Sequence, residues 1–447
     1  MAGDTVLRAL SDEGLADWQA FARTPVAEEL RGSGKIVATE IVARNDVPAE
    51  LGDVPGVLRH ERIPFVSYPY EWTFGMLKDA ALLQLELLRL ALRDDIVLKD
   101  SSPYNVQWRG AQPVFIDVGS FEPLPPGEPW VGYRQFCMLY LYPLLLQALR
   151  NVPFQPWLRG SIDGITPEQC RNLLSFRDRF RRGVFTHVYL HARLDRRYAD
   201  TSRDVKTELK RAGFKKELIL ANVKGLERMI RKLAWGPSAS EWSDYGATDS
   251  YSEADAARKL EFVRSAVASR HWQRVWDLGC NDGRFSRLAA ENADAVVAVD
   301  GDPAVAERLY QALKAERSTT ILPLTLNIVD PSPALGWRGL ERRTLAERGM
   351  PDLTLCLALV HHVAITGNVP IAEFLDWLRS LDTSLVIEFP TPDDPMVERL
   401  LAAKRERTHA DYDRTEFERA LRERFEVDES LELSSGTRVL YRARPAS

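Results

Sequence analysis

The pattern of apolar and polar positions changes character once along the chain. From about residue 254 onward, short runs rich in Val, Ile and Leu alternate with stretches whose apolar residues recur at helical spacing. EADAARKLEFVRSAVAS reads as a helix, RVWDLG as a strand, DGRFSRLAAENA as a helix, AVVAVD as a strand and PAVAERLYQALKAE as a helix. TILPLTLNI, DLTLCLAL and SLVIEF follow as strands, with the helix IAEFLDWLRSL before the last of them. Unbroken apolar strands need cover on both faces, and alternating helices supply it. The predicted fold of residues 254–447 is therefore α/β, a doubly wound, Rossmann-like sheet.

Upstream the pattern is α+β. GKIVATEIVA reads as a strand, FGMLKDAALLQLELLRLALRD as a long helix, and VQWRG with QPVFIDVG as a hairpin around Gly110. YRQFCMLYLYPLLLQAL, residues 133–149, is a very apolar helix, too short to span a bilayer and interrupted by Pro143; we expect it in a core. Between the halves lies GPSASEWSDYGATDSYS, rich in turn-forming residues. The expected organisation is an N-terminal domain over 1–235, a linker over 236–253 and a second domain over 254–447. The linker carries Trp242, Tyr245 and Tyr251, aromatics suited to a lid over the second domain.

A chain of 447 residues with 45 % hydrophobic and 28 % charged residues can bury sizeable cores without staples. The N-terminus lacks the layout of a signal peptide, and no apolar run reaches membrane-spanning length, so no membrane partner is expected. Cys137, Cys170, Cys280 and Cys356 form no CxxC pair; scattered thiols fit a reducing, cytoplasmic setting and no zinc site. Net charge is −5, yet residues 171–232 hold 18 Lys and Arg against 7 Asp and Glu, a local +11. These cations are interleaved with helix-period apolar residues, which favours a solvated helical face on an acidic neighbour over a nucleic-acid partner.

The candidate chemistry sits in RVWDLGCNDGRF. Asp277, Gly279 and Gly283 fall where a strand gives way to a helix, with Cys280 and Asn281 in the turn. Glycines permit a sharp turn and close approach of a ligand to the backbone, and the helix start offers free N–H groups. The acid precedes the first glycine and GxGxxG is absent, which argues against a dinucleotide enzyme. AVVAVDGDP then ends a second strand on Asp300, 23 positions after Asp277, where a carboxylate can accept two ribose hydroxyls.

This pairing resembles the class I S-adenosylmethionine (SAM) dependent methyltransferases. The resemblance implies SAM as cofactor, with Asp277 near its ammonium group, Asp300 on its ribose, and Asn327 or Asp330 near its adenine. It also places Leu357 in the cofactor wall and Tyr251 in the lid, and it sets His361 and His362 beside the transferring methyl. Imidazole titrates near working pH, so either histidine suits a general base or a substrate hydrogen bond, and the alternative for each is shaping the turn. Glu388, closing VIEFP, is a third catalytic candidate. No metal is expected in this domain, since no ligand cluster has the spacing.

More specifically, SYPYEWTFGMLKDAALL, VGYRQFC, EWSDY, VWDLGCNDGRFSRLA, VDPSPALGW, ALVHHVAI and IEFPTPDDPMVERLL together resemble the NoeA-type nodulation methyltransferases, over nearly the whole chain. That implies methyl transfer from SAM to an O, N or C nucleophile of a small biosynthetic substrate. LKDSSPYNVQWRGAQPVFIDVG resembles in turn the catalytic and metal-binding loops of protein-kinase-like folds. It implies Asp100, Asn105 and Asp117 as a nucleotide and magnesium site, with ATP and Mg²⁺ as cofactors of the N-terminal domain. A glycine-rich loop is missing there, and Lys35 is the only lysine placed to grip phosphate. Two rival readings remain: a bifunctional kinase–methyltransferase, and a SAM- or nucleotide-binding regulator.

Overall fold

A computed structural model describes residues 5–193, 215–236, 251–405, 409 and 411–446. They form two compact units, one of Met1–Trp108 with Pro113–Gly236, the other of Arg109–Gln112 with Pro237–Ser447. Trp242 and Tyr245 lie outside the described residues, as does the middle of the basic stretch, 194–214.

The first unit opens with β1 (Val6–Leu10), α1 (Asp12–Ala22) and α2 (Pro25–Gly32). Ser11 caps α1 by accepting from the Gly14 N–H at 3.1 Å, and Thr24 with Pro25 starts α2. β2 (Thr39–Ile41) and β3 (Gly56–His60) complete a three-stranded antiparallel sheet in the order β1-β3-β2. The long strand expected over GKIVATEIVA is thus only three residues, preceded by a single bridge from Ile36 to Phe115. The helix α3 (Phe74–Ala91) is buried along most of its length and is followed by β4 (Ile96–Leu98). The hairpin of β5 (Val106–Arg109) and β6 (Gln112–Phe115) turns on Gly110 at φ +56°, and β7 (Phe121–Pro123) pairs with β4.

The apolar helix is buried, as its composition demands, but it is not one regular rod. α4 (Tyr133–Phe136) passes through a wide turn at Cys137–Leu141 into α5 (Tyr142–Arg150). Pro143 has no N–H to return, and the Tyr142 N–H reaches back five residues to the Cys137 carbonyl. Short helices α6 (Gln155–Gly160) and α7 (Pro167–Leu173) follow, and then α8 (Lys216–Lys232), which buries Ile219, Val223, Leu226 and Ile230. Lys78 of α3 donates to the Leu233 carbonyl at 2.7 Å, tying down the end of α8. Among the described residues no helix is long and apolar enough to cross a membrane.

In the second unit α9 (Glu253–Ala268) leads into β8 (Trp272–Leu278), α10 (Arg284–Ala290), β9 (Ala293–Asp300), α11 (Pro303–Ala315) and β10 (Ile321–Thr325). Then come β11 (Leu353–Cys356), α12 (Ile371–Ser380), β12 (Ser384–Pro390), α13 (Pro395–Ala402), α14 (Arg414–Arg422), β13 (Phe425–Glu432) and β14 (Arg438–Pro445). The seven strands lie in the order β10-β9-β8-β11-β12-β14-β13; the first five are parallel, and β14 is antiparallel to both neighbours. Val296 to Val299 are all at most 1 % exposed, so the sheet is covered on both faces. Pro323 is tolerated because β10 is an edge. Chain order reverses between β8 and β11, which places the crevice of an open α/β sheet at their carboxyl ends.

Candidate active site

β8 delivers the acid and the turn. Asp277 is 2 % exposed, and its Oδ2 accepts from the Ser286 hydroxyl at 2.5 Å. Burial pushes its carboxyl up to about 6, against the pull of that hydrogen bond. Gly279 has φ +76° and donates its N–H to the Val299 carbonyl at 2.8 Å. A Cβ here would meet the Leu359 side chain at ordinary contact distance, 3.4 Å, so the glycine is required by the backbone turn and not by crowding.

Gly283 is needed for another reason. At φ +77° it caps α10, and a Cβ on it would stand 2.5 Å from Leu309 Cδ1 and 3.1 Å from Arg287. A side chain there would collide with α11, not enter a ligand space.

At the end of β9 the Asp300 carboxylate is aimed by the main chain. Oδ2 accepts the Asn281 N–H at 3.0 Å and Oδ1 accepts the Asp302 N–H at 2.9 Å. Asn281, at φ +47°, brings its N–H into position. Burial raises the Asp300 pKa, and these N–H groups oppose the rise. Thr325, the register partner of Asp300 on β10, carries a buried hydroxyl with no hydrogen-bond partner. Asn327 and Asp330 follow β10 at exposed positions, and the Asn327 Oδ1 accepts the Val329 N–H at 3.1 Å. A Cβ on Gly301 would lie 3.9 Å from the Asn327 Cα, so Asp300 and Asn327 border the same edge of the crevice.

Beyond β11 the chain passes Leu357 into Ala358 at φ +50°, a left-handed conformation unusual for alanine. His361 is 1 % exposed and neither ring nitrogen has a partner. Its ring lies 4.0 Å from that of His362. Burial, His362 and the cations Arg438 and Lys259 hold the His361 pKa well below its usual value. Burial and Arg438 lower that of His362 to about 4. Both rings are neutral bases at pH 7.

Glu388 is fully buried and both its oxygens are engaged. Oε1 accepts from the Tyr251 hydroxyl at 2.7 Å and Oε2 from Lys259 Nζ at 2.7 Å. Arg438 stands 3.7 Å away and pairs with Asp394 at 2.6 Å. The Tyr251 ring is held between two cations, with Lys259 4.6 Å and Arg438 4.4 Å from its centroid. Lys259 and Arg438 keep the Glu388 pKa low against its burial. Glu388, expected among the catalytic groups, is enclosed by Tyr251, Lys259 and Arg438. Lys259, Arg438, Asp394, Ser286 and Thr325 are additions that no local motif signals.

In the N-terminal half Asn105 Nδ2 donates to Asp100 Oδ2 at 2.9 Å, and the Asn105 carbonyl accepts the Ile116 N–H at 2.8 Å, which brings Asp117 beside them. Asp117 itself is ion-paired with Arg8 of β1. Lys35 pairs with Glu86 of α3 at 2.7 Å. A protein cation therefore already sits on the carboxylate that the kinase-like resemblance assigns to magnesium. Among the described residues no group of three or more His, Cys, Asp or Glu side chains could hold a metal ion.

A doubly wound sheet with an acid and a glycine turn at its switch point, and a second acid at the next strand end, makes the second unit a Rossmann-like open α/β domain. The chain belongs to the NoeA nodulation-protein family. It is 32 % identical to nodulation protein NoeA of Rhizobium meliloti (strain 1021) over 446 residues, covering 98 % of this chain and 92 % of that protein. No protein-family profile matches. Among solved structures it is similar to the N-methyltransferase NodS from Bradyrhizobium japonicum WM9 in complex with S-adenosyl-l-homocysteine, at 15 % identity and a TM-score of 0.34, over 47 % of this chain and 94 % of that one. It is also similar to magnesium protoporphyrin IX methyltransferase from Synechocystis PCC 6803, at 17 % identity and a TM-score of 0.31, over 49 % and 94 %.

Proposed function

We propose that the second unit binds SAM across the carboxyl ends of β8, β9 and β10 and passes its methyl group to an O, N or C nucleophile of a small biosynthetic molecule. The observation that carries this reading is the Asp300 carboxylate, fixed by two main-chain N–H groups beside the glycine turn at Gly279. A carboxylate so held keeps its full charge and its outward lone pairs for a diol. Asp277 supplies a buried acid for an ammonium group, and the unpartnered Thr325 hydroxyl offers one more hydrogen bond near Asp300. Asn327, with its Oδ1 used in a turn, keeps its amide N–H groups for a ring nitrogen.

When bound, SAM contributes a methyl group on a good leaving group. The chain has to align the nucleophile and take up its proton where it has one. His361 suits that role best, being neutral, enclosed and without a partner on either nitrogen. His362 lies beside it, its ring tilted by 39°. Tyr251, anchored through Glu388, Lys259 and Arg438, is a positioning residue that pins the start of α9 over the site. Residues 1–235 serve acceptor binding or act as a scaffold in this reading. Calorimetric titration of SAM into the full chain tests it; absence of binding would overturn it, whatever the acceptor.

A further inference from the structure

A second cleft opens at the opposite end of the parallel sheet. Trp272, Leu353 and Ser384 each open a strand there, whereas Gly279 and Asp300 lie at the other end. The cleft has a volume of about 260 Å³. Its apolar lining comes from Leu385, Val386 and Ala443 beside Trp272. Among the described residues, two guanidinium groups at this lining have no anion. Arg442 of β14 is half-buried and makes no ion pair there, not even with Glu429, which faces it across the β13–β14 ladder. The exposed Arg270 lies 4.1 Å from the Trp272 ring centroid and has no carboxylate partner among the described residues. The acid that lines the cleft, Asp428, is already paired with Arg444 at 3.0 Å, and Arg444 also holds Glu426.

We propose that this cleft is a binding site for a small ligand with a flat apolar body and one acidic group, carboxylate or phosphate. A half-buried guanidinium without a counter-ion is costly to keep, and an incoming anion relieves that cost with charge-assisted, bidentate hydrogen bonds. The Ser384 hydroxyl at the rim adds a donor. A cavity of about 150 Å³ already takes a benzene ring. The volume here therefore leaves room for a ring and its acidic substituent. Position separates this site from the proposed SAM crevice, since the length of β8 lies between Trp272 and Gly279.

Phenyl phosphate, benzoate, inorganic phosphate and benzyl alcohol, titrated separately into the full chain, test the assignment. Phenyl phosphate and benzoate should bind, inorganic phosphate more weakly than phenyl phosphate, and benzyl alcohol least. Arg442→Gln and the surface change Arg270→Gln should each weaken phenyl phosphate about tenfold, the scale of one charge-assisted hydrogen bond. SAM affinity should stay the same, and the melting temperature should not fall. Unchanged phenyl phosphate affinity in both variants, benzyl alcohol binding as well as benzoate, or competition between phenyl phosphate and SAM would each overturn the assignment.

Discussion

Asp300 and Asp117 are both carboxylates at the ends of β-structure, one in each half of the chain, and they are wired in opposite ways. Asp300 is held by two peptide N–H groups, which fix its direction, and among the described residues no side chain is ion-paired with it. Asp117 is held by the Arg8 guanidinium, which uses that charge up. The first arrangement presents an acceptor to something outside the protein, and the second closes a tie within it. Site and staple are thus distinguished less by the acid than by what orients it. The same contrast runs through the lysines: Lys259 is buried among Glu388 and Tyr251, while Lys35 meets Glu86 on a partly exposed helix face.

The sharpest way to break this comparison is to remove a cation from each half. Lys259→Met leaves Glu388 buried with one fewer partner and should cost roughly 3 kcal/mol, the lower range for breaking a buried pair. Arg8→Ala acts on a pair whose arginine is 43 % exposed and should cost at most about 1 kcal/mol. Urea melts of the two variants check both; similar midpoints would mean that the Glu388 network is not load-carrying in the fold.

Next in size is the pair of glycines. Gly279→Val forces a β-branched residue to φ +76° on the ligand side of the turn, and SAM affinity should fall by roughly 100-fold or more, about 3 kcal/mol. Gly283→Val meets Leu309 and Arg287, so its main effect should be a lower melting temperature. A normal SAM titration in Gly279→Val would remove the glycine turn from the proposed site.

Smaller still is Asp300→Ala, which should weaken SAM by roughly 1–3 kcal/mol, the loss of charge-assisted hydrogen bonds. Asp117→Ala should leave SAM affinity unchanged. If the two variants behaved alike, the distinction between backbone-held and guanidinium-held acids would carry no functional meaning.

How far the sequence reveals this site follows from how local each part is. Asp277, Gly279 and Asp300 sit at strand ends with a fixed relation to the next turn, so their role is written in contiguous residues. The enclosure of Glu388 is not, because Lys259, Arg438 and Asp394 reach it from α9, β14 and the start of α13. Arg438 was the harder to foresee: β13 and β14 are absent from the expected strands, since β13 is a largely exposed edge without clean alternation. The turn at Gly283 is local, but the approach of Leu309 to it from a helix two elements away is not written in the motif. In the first unit, Pro143 marked an interruption, but its outcome as a wide helical turn depends on the burial around it.

The finest contrast is one of protons. Asp277 has a folded pKa raised to about 6, whereas a free aspartate titrates near 3.9. Between those values the folded chain keeps a proton that the unfolded chain has lost, so this group makes stability fall as pH rises from about 4 to about 6. Ligand binding has the opposite sign. An ammonium group beside Asp277 favours the ionised carboxylate, so SAM affinity should rise with pH through the same window and level off above it. At pH 5 about one-tenth of a pKa 6 carboxylate is ionised, which makes SAM roughly tenfold weaker than at pH 7. Asp300 is also raised by burial, and Ser286, Asp282 and Lys259 act on Asp277 as well, so the assignment needs a variant. Asp277→Asn should flatten the pH dependence of SAM affinity and remove the acid-side gain in stability, with Asp300 intact. Calorimetry at pH 5 and pH 7 on both proteins decides it: a tenfold step that survives in Asp277→Asn would transfer the proton, and the ammonium contact inferred from it, to another group.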